Sequence, residues 1–141
     1  MIHSCPACGT KNRIPAARLA DVGRCGKCHA EVTPVAAPVD ADVATFREIV
    51  SSAKVPVLVD FWAAWCGPCK QAAPEVAKTA QVMRGRALVL KVDTESHPEL
   101  ASEYNVRGIP NFIVFKGGVV AAQHAGVVDH RQMQQWIEQV A

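Results

Sequence analysis

Apolar residues follow two kinds of spacing along residues 42–141. Two continuous apolar runs, 56–62 and 87–93, predict strands that are buried on both faces of a sheet. Elsewhere apolar positions recur every three or four residues, as they do on the buried side of a helix. The predicted helices begin near residues 42, 66, 99 and 129. Helices and strands therefore alternate along this part of the chain.

A hairpin follows the third predicted helix. Residues 111–116 and 119–125 are joined by Gly117-Gly118, and a Gly-Gly pair between two strand-like segments is typical of a tight turn. Strands separated by helices pair in parallel, whereas the strands of a hairpin pair antiparallel. We therefore expect an α/β domain over residues 42–141, with a mixed central sheet flanked by helices on both faces.

The chain before residue 42 has a different composition. Residues 1–32 contain few apolar side chains and cannot build a core by hydrophobicity alone. Residues 33–41 carry two prolines and no helical periodicity, which predicts an extended linker. We therefore divide the chain into a segment 1–32, a linker 33–41 and a domain 42–141.

The overall composition is that of a globular protein. Half of the 141 residues are hydrophobic, and the formal net charge is only +2. This charge gives no electrostatic reason to expect nucleic acid or a membrane surface as a partner. No apolar run has the length of a membrane span, and the first residues lack the features of a secretory signal. We expect a cytoplasmic monomer.

The six cysteines form three Cys-x-x-Cys pairs. Structural disulfides rarely persist in a reducing cytosol, so metal binding or redox chemistry is the better interpretation of each pair. The pairs are Cys5 with Cys8, Cys25 with Cys28, and Cys66 with Cys69.

The first two pairs have the spacing of a four-cysteine zinc site. Sixteen residues separate Cys8 from Cys25, and each pair supplies two thiolates to a tetrahedral ion. A structural Zn²⁺ held by Cys5, Cys8, Cys25 and Cys28 would replace the missing apolar core of residues 1–32. The alternatives are two disulfides or four free thiols.

The third pair lies where a predicted strand ends and a predicted helix begins. Free backbone N–H groups and the helix dipole favour an anion at this position, so Cys66 should be a thiolate nucleophile. Cys69 lies about one helical turn further on and can attack a mixed disulfide formed by Cys66. A lone pair of cysteines offers only two of the four ligands of structural zinc, which disfavours a metal site here.

Asp60 is the candidate proton acceptor for Cys69. It lies in an apolar strand six residues before Cys66, and burial raises the pKa of a carboxyl group enough for it to take a proton near neutral pH. Lys91 on the next predicted strand is a candidate partner for Asp60. The alternative is that Asp60 is an ordinary polar residue near a strand end.

The run VDFWAAWCGPCK, from Val59 to Lys70, resembles the signature of the thioredoxin family nearly residue for residue. The resemblance extends over residues 42–141 and implies the thioredoxin fold, with a redox-active Cys66–Cys69 disulfide. It also implies a reductant of protein disulfides, because Gly-Pro between the cysteines accompanies reductants in this family. Disulfide-containing proteins are then the substrates, and a flavin-dependent thioredoxin reductase restores the dithiol.

The resemblance also implies a substrate-binding surface. The segment Arg107-Gly-Ile-Pro110 matches the family segment that faces the active site, where the bond before Pro110 is cis. Asn111 departs from the threonine that is common at its position. The residues implied to flank the site or meet the client are Trp62, Trp65, Gly67, Pro68, Gly108, Ile109, Pro110 and Gly126. With its four N-terminal cysteines, the whole chain resembles the bacterial thioredoxin 2 type.

Three other functions remain open from the sequence. Residues 1–32 can be a zinc-ribbon binding module for nucleic acid or a partner protein, although they contain no aromatic residue to stack on bases. The redox pair can instead serve a disulfide isomerase or oxidase. The zinc segment can also belong to a redox-controlled holdase, in which oxidation releases the metal and exposes apolar surface.

Overall fold

A computed structural model describes all residues from 1 to 141. Four short strands and one turn of 3-10 helix, Ala16–Arg18, form the N-terminal segment, residues 1–32. These strands are β1 (Ile2–Ser4), β2 (Lys11–Arg13), β3 (Gly23–Arg24) and β4 (Glu31–Val32). β1 pairs with β2 and β3 with β4, both antiparallel, so the segment consists of two small hairpins.

The rest of the chain forms five strands and four helices. The strands are β5 (Val39–Asp40), β6 (Val57–Trp62), β7 (Leu88–Asp93), β8 (Asn111–Lys116) and β9 (Val119–Ala125). The helices are α1 (Val43–Ser52), α2 (Gly67–Val82), α3 (Pro98–Glu103) and α4 (His130–Val140). None of these helices is long and apolar enough to cross a membrane.

The five strands form one mixed sheet in the order β5-β7-β6-β8-β9. β7 pairs in parallel with β5 and β6, whereas β8 pairs antiparallel with β6 and β9. The predicted mixed sheet is therefore confirmed, and β6 lies at its centre. Every residue of β6 up to Phe61 is buried, as its uninterrupted apolar sequence predicts.

β5 has no counterpart among the predicted elements. Val39 and Asp40 belong to the predicted linker, yet they pair with Leu90 and Lys91 at the edge of the sheet. A two-residue strand is too short to give a periodic pattern, so the sequence holds no signal for it. The division of the chain at residues 33–41 stays a prediction.

An apolar core lies on each face of the sheet. On one face, Phe46 of α1 and Leu100 of α3 pack against Val59 of β6 and its neighbours. On the other face, side chains of α2 and α4, among them Val76 and Trp136, pack against the intervening positions of the same strands. Alternate residues of β6 and β7 thus face opposite cores.

Side-chain caps fix where two of the helices begin. The Asp42 carboxylate accepts the Thr45 N–H at 2.8 Å at the start of α1. The Asp129 carboxylate accepts the Gln132 N–H at 2.9 Å at the start of α4. Each cap satisfies a backbone donor that the helix itself leaves free.

The N-terminal segment is packed onto the first core. Leu19 is only 2 % exposed and lies in the same cluster as Phe46 and Ile49 of α1. The Leu19 carbonyl also accepts the Val35 N–H at 3.1 Å. The turn of 3-10 helix before Leu19 therefore brings part of the N-terminal segment into the core of the main sheet.

We expect Leu19→Ala to lower the free energy of unfolding by about 2 to 5 kcal/mol, since it removes a fully buried leucine. Urea unfolding followed by tryptophan fluorescence measures this, because all three tryptophans lie beyond residue 42. Val22→Ala is the matched control. Val22 is 57 % exposed, so its truncation should change the free energy by less than about 0.5 kcal/mol. Equal effects of the two variants would show that Leu19 does not support the main core.

Candidate redox site and metal centre

Cys66 and Cys69 lie at the junction of β6 and α2. Cys66 is the N-cap residue of α2, and the Cys69 N–H donates to the Cys66 Sγ at 3.1 Å. Pro68 occupies the first turn, where its missing N–H costs the helix nothing. The two sulfurs are joined in a disulfide bond. The pair therefore lies at the N-terminal end of α2, where free backbone N–H groups can donate to the Cys66 sulfur.

The loop before β8 lies beside the disulfide. The peptide bond between Ile109 and Pro110 is cis, and the Ile109 carbonyl oxygen is 3.7 Å from the Cys66 Sγ. The Gly126 N–H donates to the Pro110 carbonyl at 3.0 Å, which brings the end of β9 to the same loop. Segments distant in sequence thus meet around Cys66.

The residues implied as a substrate surface differ in their exposure. Trp65 is 68 % exposed, Trp62 and Ile109 are half-buried, and Pro110 is buried beside the disulfide. The remaining members are exposed: Gly67, Pro68, Gly108 and Gly126. Side chains and backbone next to a buried disulfide are therefore open to an incoming chain.

Glu95 is a neighbour of this site that sequence reasoning missed. The Trp65 indole N–H donates to the Glu95 carboxylate at 2.7 Å, which fixes an otherwise exposed ring. The Glu95 N–H in turn donates to the Asp93 carboxylate at 2.9 Å. Glu95 lies thirty positions after Trp65, and no motif links the two residues.

Asp60 is buried at the centre of the sheet and only 1 % exposed. Lys91 is its neighbour on β7 and Phe112 its neighbour on β8. One carboxylate oxygen of Asp60 has no hydrogen-bond partner. Burial raises the pKa of Asp60 to about 7, although the positive charge of Lys91 acts in the opposite direction.

Lys91 acts on Asp60 through space. It forms no salt bridge with Asp60, and its Nζ lies 4.6 Å from the centre of the Trp62 ring. A cation over an aromatic face is stabilised by the ring quadrupole. The charge of Lys91 is thus held near Asp60 without direct contact.

The other four cysteines form a second, separate cluster. Each hairpin of the N-terminal segment carries one Cys-x-x-Cys pair, and all four sulfurs lie within 4.8 Å of one another. Cys5 and Cys28 have sulfurs 3.6 Å apart, and Cys8 and Cys25 have sulfurs 3.7 Å apart. Tetrahedral Zn–S bonds of about 2.3 Å require sulfurs about 3.8 Å apart. The sulfur positions therefore suit a structural zinc ion.

The two pairs have the same backbone hydrogen bonds. The carbonyl of Cys5 accepts the Gly9 N–H at 2.9 Å, and that of Cys25 accepts the His29 N–H at 3.0 Å. Gly9 and His29 both adopt positive φ, which closes each turn around its sulfurs. Amides of Cys28 and Lys27 lower the pKa of the Cys25 thiol to about 5, which favours the thiolate that a metal needs.

Two family models match the chain. The thioredoxin model matches residues 35–139, and the model described as thioredoxin 2, N-terminal, matches residues 4–30. The second match covers all four clustered cysteines. The two models together match nearly the whole chain.

Similar proteins are thioredoxins. Thioredoxin C-3 of Corynebacterium nephridii is 37 % identical over 139 residues, which cover 99 % of this chain and 94 % of that protein. Thioredoxin 1 of a Nostoc strain is 45 % identical over 94 residues, covering 67 % of this chain and 88 % of that protein.

Among solved structures, a mutant thioredoxin from Halobacterium salinarum NRC-1 is similar to this fold. Its TM-score is 0.71 at 30 % sequence identity, and the match covers 77 % of this chain and 95 % of that one. The expected fold, the Cys66–Cys69 dithiol chemistry and the resemblance to thioredoxin 2 are thereby confirmed. The chain belongs to the thioredoxin family, as a thiol-disulfide oxidoreductase that reduces protein disulfides and carries a thioredoxin 2 type ribbon at its N-terminus.

Proposed function

We propose that Cys66 is the nucleophile of this disulfide reductase and Cys69 the resolving cysteine. The observation that carries the proposal is the position of the Cys66 Sγ at the N-cap of α2, next to the exposed Trp65, Gly67 and Pro68. A helix N-terminus favours a thiolate, which is the reactive form. Cys69 lies in the first turn of α2 and is buried, so its sulfur is placed to attack a mixed disulfide on Cys66 from within the protein.

The reaction proceeds by two thiol-disulfide exchanges. The Cys66 thiolate attacks one sulfur of the client disulfide, forming a mixed disulfide and releasing the other client sulfur as a thiolate. The Cys69 thiolate then attacks the Cys66 sulfur. The Cys66–Cys69 disulfide forms, the second client sulfur leaves, and two electrons have passed to the client.

Asp60 is proposed to accept the Cys69 proton. A pKa of about 7 lets the carboxyl group take a proton from a thiol and return it to water near neutral pH. Its unpaired oxygen leaves one acceptor free for this proton. Lys91 limits the rise of the Asp60 pKa, so that part of the group stays ionised at pH 7.

The surface around Cys66 is proposed to bind an extended segment of the client. The exposed members Gly67, Pro68, Gly108 and Gly126 lack side chains or charge, so a client backbone can approach closely. Trp62 and Trp65 border this surface, and the Ile109–Pro110 bond lies beside the reacting sulfur.

The clustered cysteines are proposed to hold one structural Zn²⁺. Cys5, Cys8, Cys25 and Cys28 supply a complete set of four thiolates, which leaves no position for a substrate. The ion would cross-link two hairpins that share a core of only three buried residues.

The remaining features follow from the dithiol chemistry and the ribbon. We propose disulfide-containing proteins as substrates and a flavin-dependent thioredoxin reductase as the partner that restores the dithiol. A zinc site of four thiolates needs reducing surroundings, which supports the cytoplasm as its location. We propose a monomer, because one chain contains both cysteines and the residues that pack around them.

We expect Cys66→Ser to abolish the reduction of insulin disulfides, since it removes the attacking thiolate. Cys69→Ser should instead accumulate a covalent mixed disulfide with its client, because the resolving thiol is missing. Non-reducing electrophoresis distinguishes these outcomes. A trapped client on Cys66→Ser, with none on Cys69→Ser, would reverse the assignment of the two roles.

We expect Asp60→Asn to stabilise the protein above pH 7. The folded state raises the Asp60 pKa above its unfolded value of about 4, so the carboxylate destabilises the fold increasingly as the pH rises from about 4 to 7. The gain should reach roughly 4 kcal/mol at pH 8 and vanish near pH 4. Urea unfolding at both pH values measures it. The variant should also slow the release of the client, and Glu48→Gln controls for the loss of an exposed carboxylate elsewhere. A gain that is independent of pH would contradict the assigned cause.

We expect one zinc ion per chain, lost in the double variant Cys5→Ser/Cys8→Ser. That variant keeps Cys66 and Cys69, which lie in a separate cluster, so insulin reduction should persist. Metal analysis and the insulin assay measure the two properties independently. Cys69→Ser is the matched control, and it should retain zinc. Zinc bound normally by the double variant would exclude the four-thiolate site.

A further inference from the structure

Asp40, Lys91 and Asp60 form a row across three neighbouring strands. Asp40 on β5 is the partner of Lys91 on β7, and Lys91 is the partner of Asp60 on β6. Partners in a parallel ladder point to the same face of a sheet. The flanking residues Val39 and Val59 pack into the core beneath α1, so the row faces the opposite side, which α2 covers.

The burial of the row changes from one end to the other. Asp60 is buried, Lys91 is half-buried and Asp40 is exposed at the edge of the sheet. The lysine therefore separates a carboxylate inside the protein from one in contact with solvent. A flexible four-carbon side chain allows its ammonium group to approach either of them.

A cavity of about 270 Å³ gives this ammonium group room to move. Asp40, Lys91 and Trp62 contribute to its wall, and the Lys91 Nζ lies over the Trp62 ring. The other charged or titratable groups in the wall are Asp42, Asp93 and His97, and the Cys66–Cys69 disulfide packs against Trp62.

Asp40 is the acidic residue of this wall whose carboxylate has no partner. Asp42 caps α1 through the Thr45 N–H, and Asp93 accepts from the Glu95 N–H and the Ser96 hydroxyl. Asp40 forms no side-chain hydrogen bond and no salt bridge. No other group neutralises its carboxylate, which makes no ion pair with Lys91 and can attract the ammonium group only through space.

We propose that Asp40 is a positioning residue that draws the Lys91 ammonium towards the sheet edge and so weakens its electrostatic effect on Asp60. The inference deepens the proposed function, since it rests on Asp60 as the proton acceptor for Cys69. The electrostatic energy between two charges falls with their separation, so a lysine held further out lowers the Asp60 pKa less. Asp40 thus keeps Asp60 a stronger base.

The backbone holds Asp40 at this position. β5 pairs with β7 through Val39 and Asp40, and the next residue, Ala41, donates its N–H to the Lys91 carbonyl at 2.9 Å. Asp40 belongs to the stretch that connects the N-terminal segment to the main domain. The position of this connector therefore determines the charge next to Lys91.

The test is the titration of the Asp60 carboxyl carbon by NMR in Asp40→Asn. Without the Asp40 charge, the Lys91 ammonium group should lie closer to Asp60 and favour its ionised form. The pKa of Asp60 should then fall by about half a unit. Asp40→Glu should restore the original midpoint. Glu48→Gln, which removes an exposed carboxylate from α1, should leave it unchanged.

A lysine-free background separates repositioning from direct repulsion between the two carboxylates. In Lys91→Met, the further change Asp40→Asn should shift the Asp60 midpoint by less than a third of its effect in the native background. An equal shift in both backgrounds, or no shift in Asp40→Asn alone, would overturn the inference. The titration midpoint of Asp60 is measured without any catalytic step. If Asp60→Asn released its client at the normal rate, the proposal that Asp60 accepts the Cys69 proton would be wrong, but the effect of Asp40 on the Asp60 pKa could still be observed.

Discussion

The structure depends on the burial of β6 on both faces and on the abrupt transition from β6 to α2. β6 is the central strand, and apolar cores cover it from both sides, so its end is fixed within the sheet. Four residues separate the end of that strand from the start of α2. The sulfur of Cys66 consequently lies where free backbone donors of α2 meet the loop of Ile109 and Pro110.

The same burial creates the chemistry of Asp60. An ionised carboxylate in the middle of a sheet is unfavourable, and this cost falls at the position for which we propose proton transfer. An ion pair with an adjacent ammonium group would bring the Asp60 pKa back towards that of an ordinary carboxyl group, which has little tendency to take a proton at neutral pH. Lys91 instead stays over the Trp62 ring, near Asp60 but without an ion pair.

The sequence predicts those parts of the molecule that repeat a local pattern. Apolar periodicity locates the helices and the central strands, and the spacing of Cys5, Cys8, Cys25 and Cys28 predicts their convergence. It carries no sign of β5, whose two residues are too few for a pattern, nor of the contact between Trp65 and Glu95. These features arise from the register of strands and from loops that meet only in the folded chain.

One short motif serves two kinds of chemistry in this chain, and the number of neighbouring sulfurs decides which. In the N-terminal segment two turns bring four sulfurs within 4.8 Å, so each thiolate has three others with which to share a metal ion. A thiolate that binds zinc in a complete tetrahedral set is no longer a free nucleophile. Cys66 and Cys69 do not belong to this cluster, and at the start of α2 the Cys66 sulfur accepts a hydrogen bond from the Cys69 N–H. That pair can form a disulfide with each other or with a client. The same spacing therefore suits a structural metal site at one end of the chain and gives a redox centre in the middle.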